Sequence, residues 1–161
     1  MKAATHPAAL RIQGLLAQAG VTARVVEFDE PTRTSADAAL AIGCSVGEIA
    51  KSIVFRIRSN GRAVVVVASG ENRVSEQKVE QLIGEPIGKA DADFVRESTG
   101  FAIGGVPPLG HQHAVKILLD GDLQRFGKVW AAGGTPYSVF PVTPDELQRI
   151  TGRGWSDIRQ D

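Results

Sequence analysis

The 161-residue chain has one cysteine, one methionine, one tyrosine and no surplus of either charge, with 18 basic and 18 acidic side chains. Cys44 alone excludes an internal disulfide and fits a reducing cytoplasm. No histidine or other activator lies near it in sequence, so a small packed residue is expected there and not a catalytic thiol. Charge balance excludes a protein that coats DNA or an anionic membrane indiscriminately, because that needs a large basic excess. Long hydrophobic runs are missing as well. The stretch from Ser98 to Val115 carries no formal charge, yet its glycines and Pro107-Pro108 exclude a spanning helix. Met1 to Pro7 has no apolar signal core, and a soluble cytoplasmic protein is expected.

What is present is an ordinary globular composition, 43% hydrophobic and 22% charged, which excludes disorder and coiled coil. The length suits one domain spanning residues 1–161. Glycine is the exception: 18 residues, against a usual share of about 7%.

Periodicity and turn chemistry sketch the order of elements. Apolar residues recur at helical spacing from Ala8 to Ala19, and Gly20 ends the run. Thr22 to Phe28 is rich in β-branched residues and predicts a strand. Thr34 with Asp37 caps a helix over Ser35 to Ile42. Ala50 to Arg58 and Arg62 to Ser69 read as strands joined by Ser59-Asn60-Gly61, a hairpin signal because Asn and Gly tolerate positive φ. Val64 to Val67, apolar on both faces, belongs inside the sheet. Ser75 to Leu82 and Asp91 to Glu97 predict helices; Ala114 to Leu119, Lys128 to Ala132 and Tyr137 to Val142 predict strands. Asp120-Gly121-Asp122 is a turn without calcium-loop spacing. Thr143-Pro144-Asp145-Glu146 opens a final helix to Ile150. The mixture predicts an α+β fold: a single domain with a curved mixed sheet, barrel-like at its core, flanked by short helices.

Two features carry chemistry. Lys51 falls in phase with Ile49, Ile53, Phe55 and Ile57 on one apolar strand face. An inward lysine is costly unless it is paired or lines a cavity; the alternative is a strand-end lysine reaching out to water. As a compact charge with three donors, it suits a phosphate or a carbonyl oxygen. The second feature is Gly100 to His111, a glycine-rich loop stiffened by two prolines, whose amides can hold an oxyanion or a ribose hydroxyl. It matches neither a Walker loop nor a dinucleotide fingerprint. His111 and His113 lack a third ligand for a metal. Ser69-Gly70 lacks a nucleophile-elbow pattern. Trp130 is expected in the core and Trp155 at the surface, and Arg56, Arg58 and Arg62 gather at the hairpin.

These pieces together resemble the YbaK/prolyl-tRNA synthetase-associated editing-domain family. The resemblance rests on Thr34 to Ala39 with Ile42-Gly43, on Ile49-Ala50-Lys51-Ser52, and on Gly104 to Gly110. Ala131-Ala132-Gly133 and Asp145-Glu146-Leu147 extend it. It implies an aminoacyl-tRNA deacylase that acts in trans on mischarged tRNA, with tRNA(Pro) carrying cysteine or alanine as the expected substrate. Lys51, Gly104 and Gly105 would be catalytic. Ser52, Val106, Pro107, Pro108, Gly110, Gly133 and Thr34 would contact substrate. Neither metal nor cofactor is expected; the partners would be the 3′ aminoacyl end of tRNA and a prolyl-tRNA synthetase, with no membrane and no specific DNA. Gly134-Thr135 follows Gly133 where many relatives carry a basic residue, and Ser52 stands where an alanine-specific branch has asparagine. Two other classes stay open on the residues alone: a non-catalytic tRNA-binding module, and a small-molecule binder of aminoacyl-adenosine type.

Overall fold

The computed structural model describes residues 1–161. In chain order the elements are β1 (Lys2–Ala3), α1 (Pro7–Gln18), β2 (Val26–Glu27), α2 (Ser35–Ile42), β3 (Ile49–Ile57), β4 (Ala63–Ser69) and α3 (Glu76–Ile83). There follow β5 (Ile87–Lys89), α4 (Ala92–Thr99), β6 (Lys116–Asp120), β7 (Val129–Ala132), β8 (Ser138–Val142), α5 (Pro144–Thr151) and β9 (Trp155–Ser156). Short 3-10 turns at Val46–Glu48 and Gly121–Arg125 precede β3 and follow β6. The fold is the expected α+β arrangement on a curved mixed sheet. No helix is long and apolar enough to cross a membrane.

Side-chain caps fix the helix starts. Thr34 Oγ1 accepts from the Asp37 amide, Asp91 from Phe94, and Thr143 with Glu146 forms a reciprocal capping box. Each cap satisfies amides that a helix start otherwise leaves unpaired. Corrections concern the strands. The Thr22 to Phe28 stretch forms strand pairs only at Val26 and Glu27; the Val25 amide instead donates to the side-chain Oε1 of Gln13. In the hairpin only Gly61 has positive φ, while Asn60 uses its Oδ1 to accept from the Arg62 amide. The turn therefore spans more residues than a two-residue Asn-Gly turn.

The sheet runs β1-β2-β8-β7-β3-β4-β6-β9, with β5 added to β3 off this path. Strand β4 sits between β3 and β6, and Val64 to Val67 are fully buried, as their two-sided apolar pattern requires. One sheet face carries the larger core around Ile12, Leu16, Val65, Val67, Leu119 and Phe140. The other carries Phe55, Ile57, Val64, Val66, Ala68, Val79 and Ile158. One discontinuity matters for function. Strand β3 pairs with β7 only at Ile49 and Ala50 and with β5 only from Phe55 to Ile57. Residues 51–54 thus have a ladder partner on the β4 side alone, which opens a gap in the middle of the sheet.

Candidate functional site

The gap in β3 is where five of the ten predicted residues meet. A cavity of about 380 Å³ lies over it, with Lys51 and Ser52 from β3, Thr34 from the start of α2, and Gly104 and Val106 from the glycine loop on its walls. Arg33, Ile103 and Trp130 also border it. Neither carboxylate, imidazole nor thiol borders this cavity.

Lys51 shares its face of the strand with Ile53, Phe55 and Ile57, as the alternation predicts, and lies opposite Ala68 of β4. Ile49 leaves that face and packs with Ala38 and Ala39. The lysine is half-buried, and its Nζ makes one long contact, 3.5 Å to the Gly70 carbonyl. Burial pushes its pKa below the ordinary lysine value; the negative charge of Asp120 opposes the shift. Ser52 points to the opposite face. Its Oγ is buried without a hydrogen-bond partner, which ordinarily costs about 1–3 kcal/mol unless a ligand or water supplies the missing bond.

The loop facing them is held from behind. Thr99 Oγ1 accepts from the Phe101 amide and donates to Val95 O, while the Gln112 amide donates to Thr99 O. Within the loop, Gly105 donates to Ala102 O at 2.9 Å; no bond within the chain is donated by Gly104 or Val106 N–H. Gly104 has φ +89°, a left-handed conformation that disfavours any side chain. Gly105 lies so close to Thr135 that a Cβ would come within 2.7 Å of its backbone. Gly105, expected to be catalytic, therefore lies buried behind the cavity lining, and the predicted substrate contacts Pro107, Pro108 and Gly110 sit outside it too. Pro107 and Pro108 are buried, and His111 Nε2 lies 2.7 Å from Pro107 O. The Gly110 carbonyl accepts from Arg11 of α1, and the Gly133 amide donates to Ser138 O.

Sequence reasoning missed three pieces. Trp130, expected in the core, is half-buried on the cavity wall with Lys128 Nζ 5.2 Å from its ring centroid. Arg33 and Ile103 sit on loops, where no periodicity marks them, although Arg33 stands directly before the Thr34 cap. A buried network behind Lys51 is the third piece. Asp120 Oδ2 accepts from Ser69 N and from Asn72 Nδ2, and Asn72 also donates to Asp122. Ser69, which lacks a nucleophile elbow, donates its hydroxyl to Gly47 O and is fully buried. His111 and His113 do not converge: the second is exposed and borders a different cleft. Cys44 packs beside Ala38 and Ala39, and burial, reinforced by Glu48, pushes its thiol pKa up, the opposite of activation.

The family model of the aminoacyl-tRNA editing domain matches residues 29–150. The uncharacterized protein YwhH of Bacillus subtilis is 35% identical over 138 residues, covering 85% of this chain and 87% of YwhH. Proline–tRNA ligase of Bacillus licheniformis is 32% identical over 107 residues, 63% of this chain but only 18% of the ligase. The crystal structure of a proposed trans-editing enzyme for prolyl tRNA synthetase superposes with a TM-score of 0.90 at 44% identity, covering 98% of this chain and all of that one.

Proposed function

We propose that this chain, which belongs to the aminoacyl-tRNA editing domain family, hydrolyses the ester that joins a wrong amino acid to tRNA, acting in trans on tRNA(Pro) carrying cysteine or alanine. The observation that carries the reading is a half-buried lysine with a single long hydrogen bond, set in a cavity that offers no general base of its own. A cavity built for acid–base hydrolysis would place a carboxylate or imidazole within reach of the attacking water. Here the chemistry falls to charge and backbone dipoles, and the substrate or bulk water supplies the nucleophile.

Lys51 binds the anionic 3′ end, and the free amides of Gly104 and Val106 receive the developing oxyanion. The Ser52 hydroxyl completes its missing hydrogen bond on the substrate. The attacking oxygen of water adds to the ester carbonyl; the bond to the ribose oxygen breaks, and that oxygen takes up a proton. Where the attached residue is cysteine, its own thiol can attack in place of water: the bond to the ribose oxygen breaks, that oxygen takes the thiol proton, and water then opens the released cyclic thioester. Ile49, Val106, Trp130 and Val139 form the apolar side of the cavity and suit a small side chain. Trans action on tRNA(Pro) draws support from the likeness to the ligase and to the proposed trans-editing enzyme.

The test is a panel of alanyl-, cysteinyl- and seryl-tRNA(Pro) deacylation with wild type and Lys51→Ala. Alanyl- or cysteinyl-tRNA is expected to be cleared fastest, and the variant to be inactive. Equal hydrolysis by the variant would overturn the assignment.

A further inference from the structure

We infer that the cleft on the other side of Lys51 is a phosphodiester-binding track for the single-stranded end of a polynucleotide, with Arg73 and Lys89 as its contacts. The inference rests on the editing reading above and extends it to where the strand runs. This second cleft measures about 500 Å³ and shares Lys51 and Ile53 with the candidate site. The other large clefts share no residue with that site. At about 380 Å³ the candidate cavity is near the lower end of ligand sites, room for one aminoacyl-nucleoside. A strand whose last nucleotide is seated there must leave past one of its walls, and the Lys51 wall is the one shared with a second cleft that carries further cations.

That surface is electrostatically prepared. Arg73 and Lys89 are exposed, and neither takes part in an ion pair or a side-chain hydrogen bond. Of the two carboxylates in the cleft, Glu71 is turned to Arg125 at 3.8 Å, which leaves Glu76 as the unpaired one. Three cations therefore face one free carboxylate on a chain whose net charge is zero. Local concentration of charge is what a protein needs to hold a short single strand without binding nucleic acid in general.

The experiment is binding of uncharged, 5′-labelled tRNA(Pro), followed by fluorescence anisotropy, so that it does not depend on hydrolysis. Between about 50 and about 200 mM salt, each lost phosphate contact on a single strand flattens the slope of log Kd against log salt by about 0.7. Arg73→Ala with Lys89→Ala is expected to flatten it by about 1.4 and to weaken binding about tenfold at the low-salt end. Glu76→Gln, which removes a repelling charge, is expected to tighten binding about twofold. Arg149→Ala on α5, away from the cleft, is expected to change neither. An unchanged slope in the double variant overturns the proposal, as does a weaker Kd with the wild-type slope, which would mean lost packing. Flattened slopes in a protein that does not deacylate mischarged tRNA would support the track and count against the editing reading.

Discussion

Lys51 and Lys78 are two lysines of one sheet-and-helix layer treated in opposite ways. Lys78, on α3, meets Asp157 at 3.0 Å, the Arg159 carbonyl at 2.6 Å and Asp161 at 3.4 Å, and so holds the end of the chain against the helix. Lys51 is deeper, yet has one contact at 3.5 Å and no carboxylate at its tip. Their pKa values move apart: hydrogen bonds and charge from Asp157 raise that of Lys78, and burial lowers that of Lys51. The contrast teaches that a satisfied ammonium is a fastening, whereas an under-satisfied one beside a cavity awaits a ligand.

The sharpest way to break this contrast is to remove each lysine in turn. Lys51→Ala is expected to lower deacylation at least about 100-fold while the protein melts no lower than before, since the charged lysine burdens the fold. Lys78→Ala is expected to lower the melting temperature and leave the rate alone; a rate loss there would erase the distinction. Next in size is Gly105→Ala, whose new methyl group meets the Thr135 backbone. It should cost about 1–3 kcal/mol in urea unfolding and, by moving the loop off Lys51, slow deacylation about tenfold. Asp120→Asn removes the charge that opposes the burial shift of Lys51. The lysine should then titrate still lower by NMR of its Cε, with about 1–3 kcal/mol lost from the buried network.

The smallest effect is on pH dependence. In the wild type Lys51 should lose its proton below the ordinary value of 10.5 and Lys78 above it. The signs differ for stability too. The raised Lys78 stabilises the fold below its unfolded pKa, and that contribution is lost as pH climbs through the folded value. The lowered Lys51 instead burdens the fold while charged, and the burden lifts as pH rises through its own lowered pKa. Alkaline unfolding of Lys78→Ala should therefore show a weaker decline above about pH 10 than the wild type.

Legibility in the sequence followed locality. Thr34 and Thr143 were readable as caps because a cap and its amide are three residues apart. Lys51 stood out because its strand is nine residues long and one position breaks the apolar face. Strands β1 and β9, two residues each, hold too little alternation to detect, whereas β2 was signalled only by the β-branched content of Thr22 to Phe28 and proved shorter than that run. The Asn72–Asp120 bond joins residues 48 apart, and no spacing rule spans that distance. The cavity lies between these cases. Thr34, Lys51, Ser52, Gly104 and Val106 were named from local pattern and family resemblance. That they share walls with Arg33 and Trp130 depends on the parallel pairing of β3 with β7, a tertiary fact.

The interrupted ladder at residues 51–54 has one more consequence. An unpaired strand edge is normally a template for aggregation, but this one opens inward, roofed by the glycine loop. Part of what a ligand would meet there is main chain, which no side-chain substitution can delete. Exchanges at Ile49, Ile103, Val106 or Trp130 can therefore resize the chamber while its polar frame stays put. Such a site can change its preferred amino acid in small steps without passing through an inactive form.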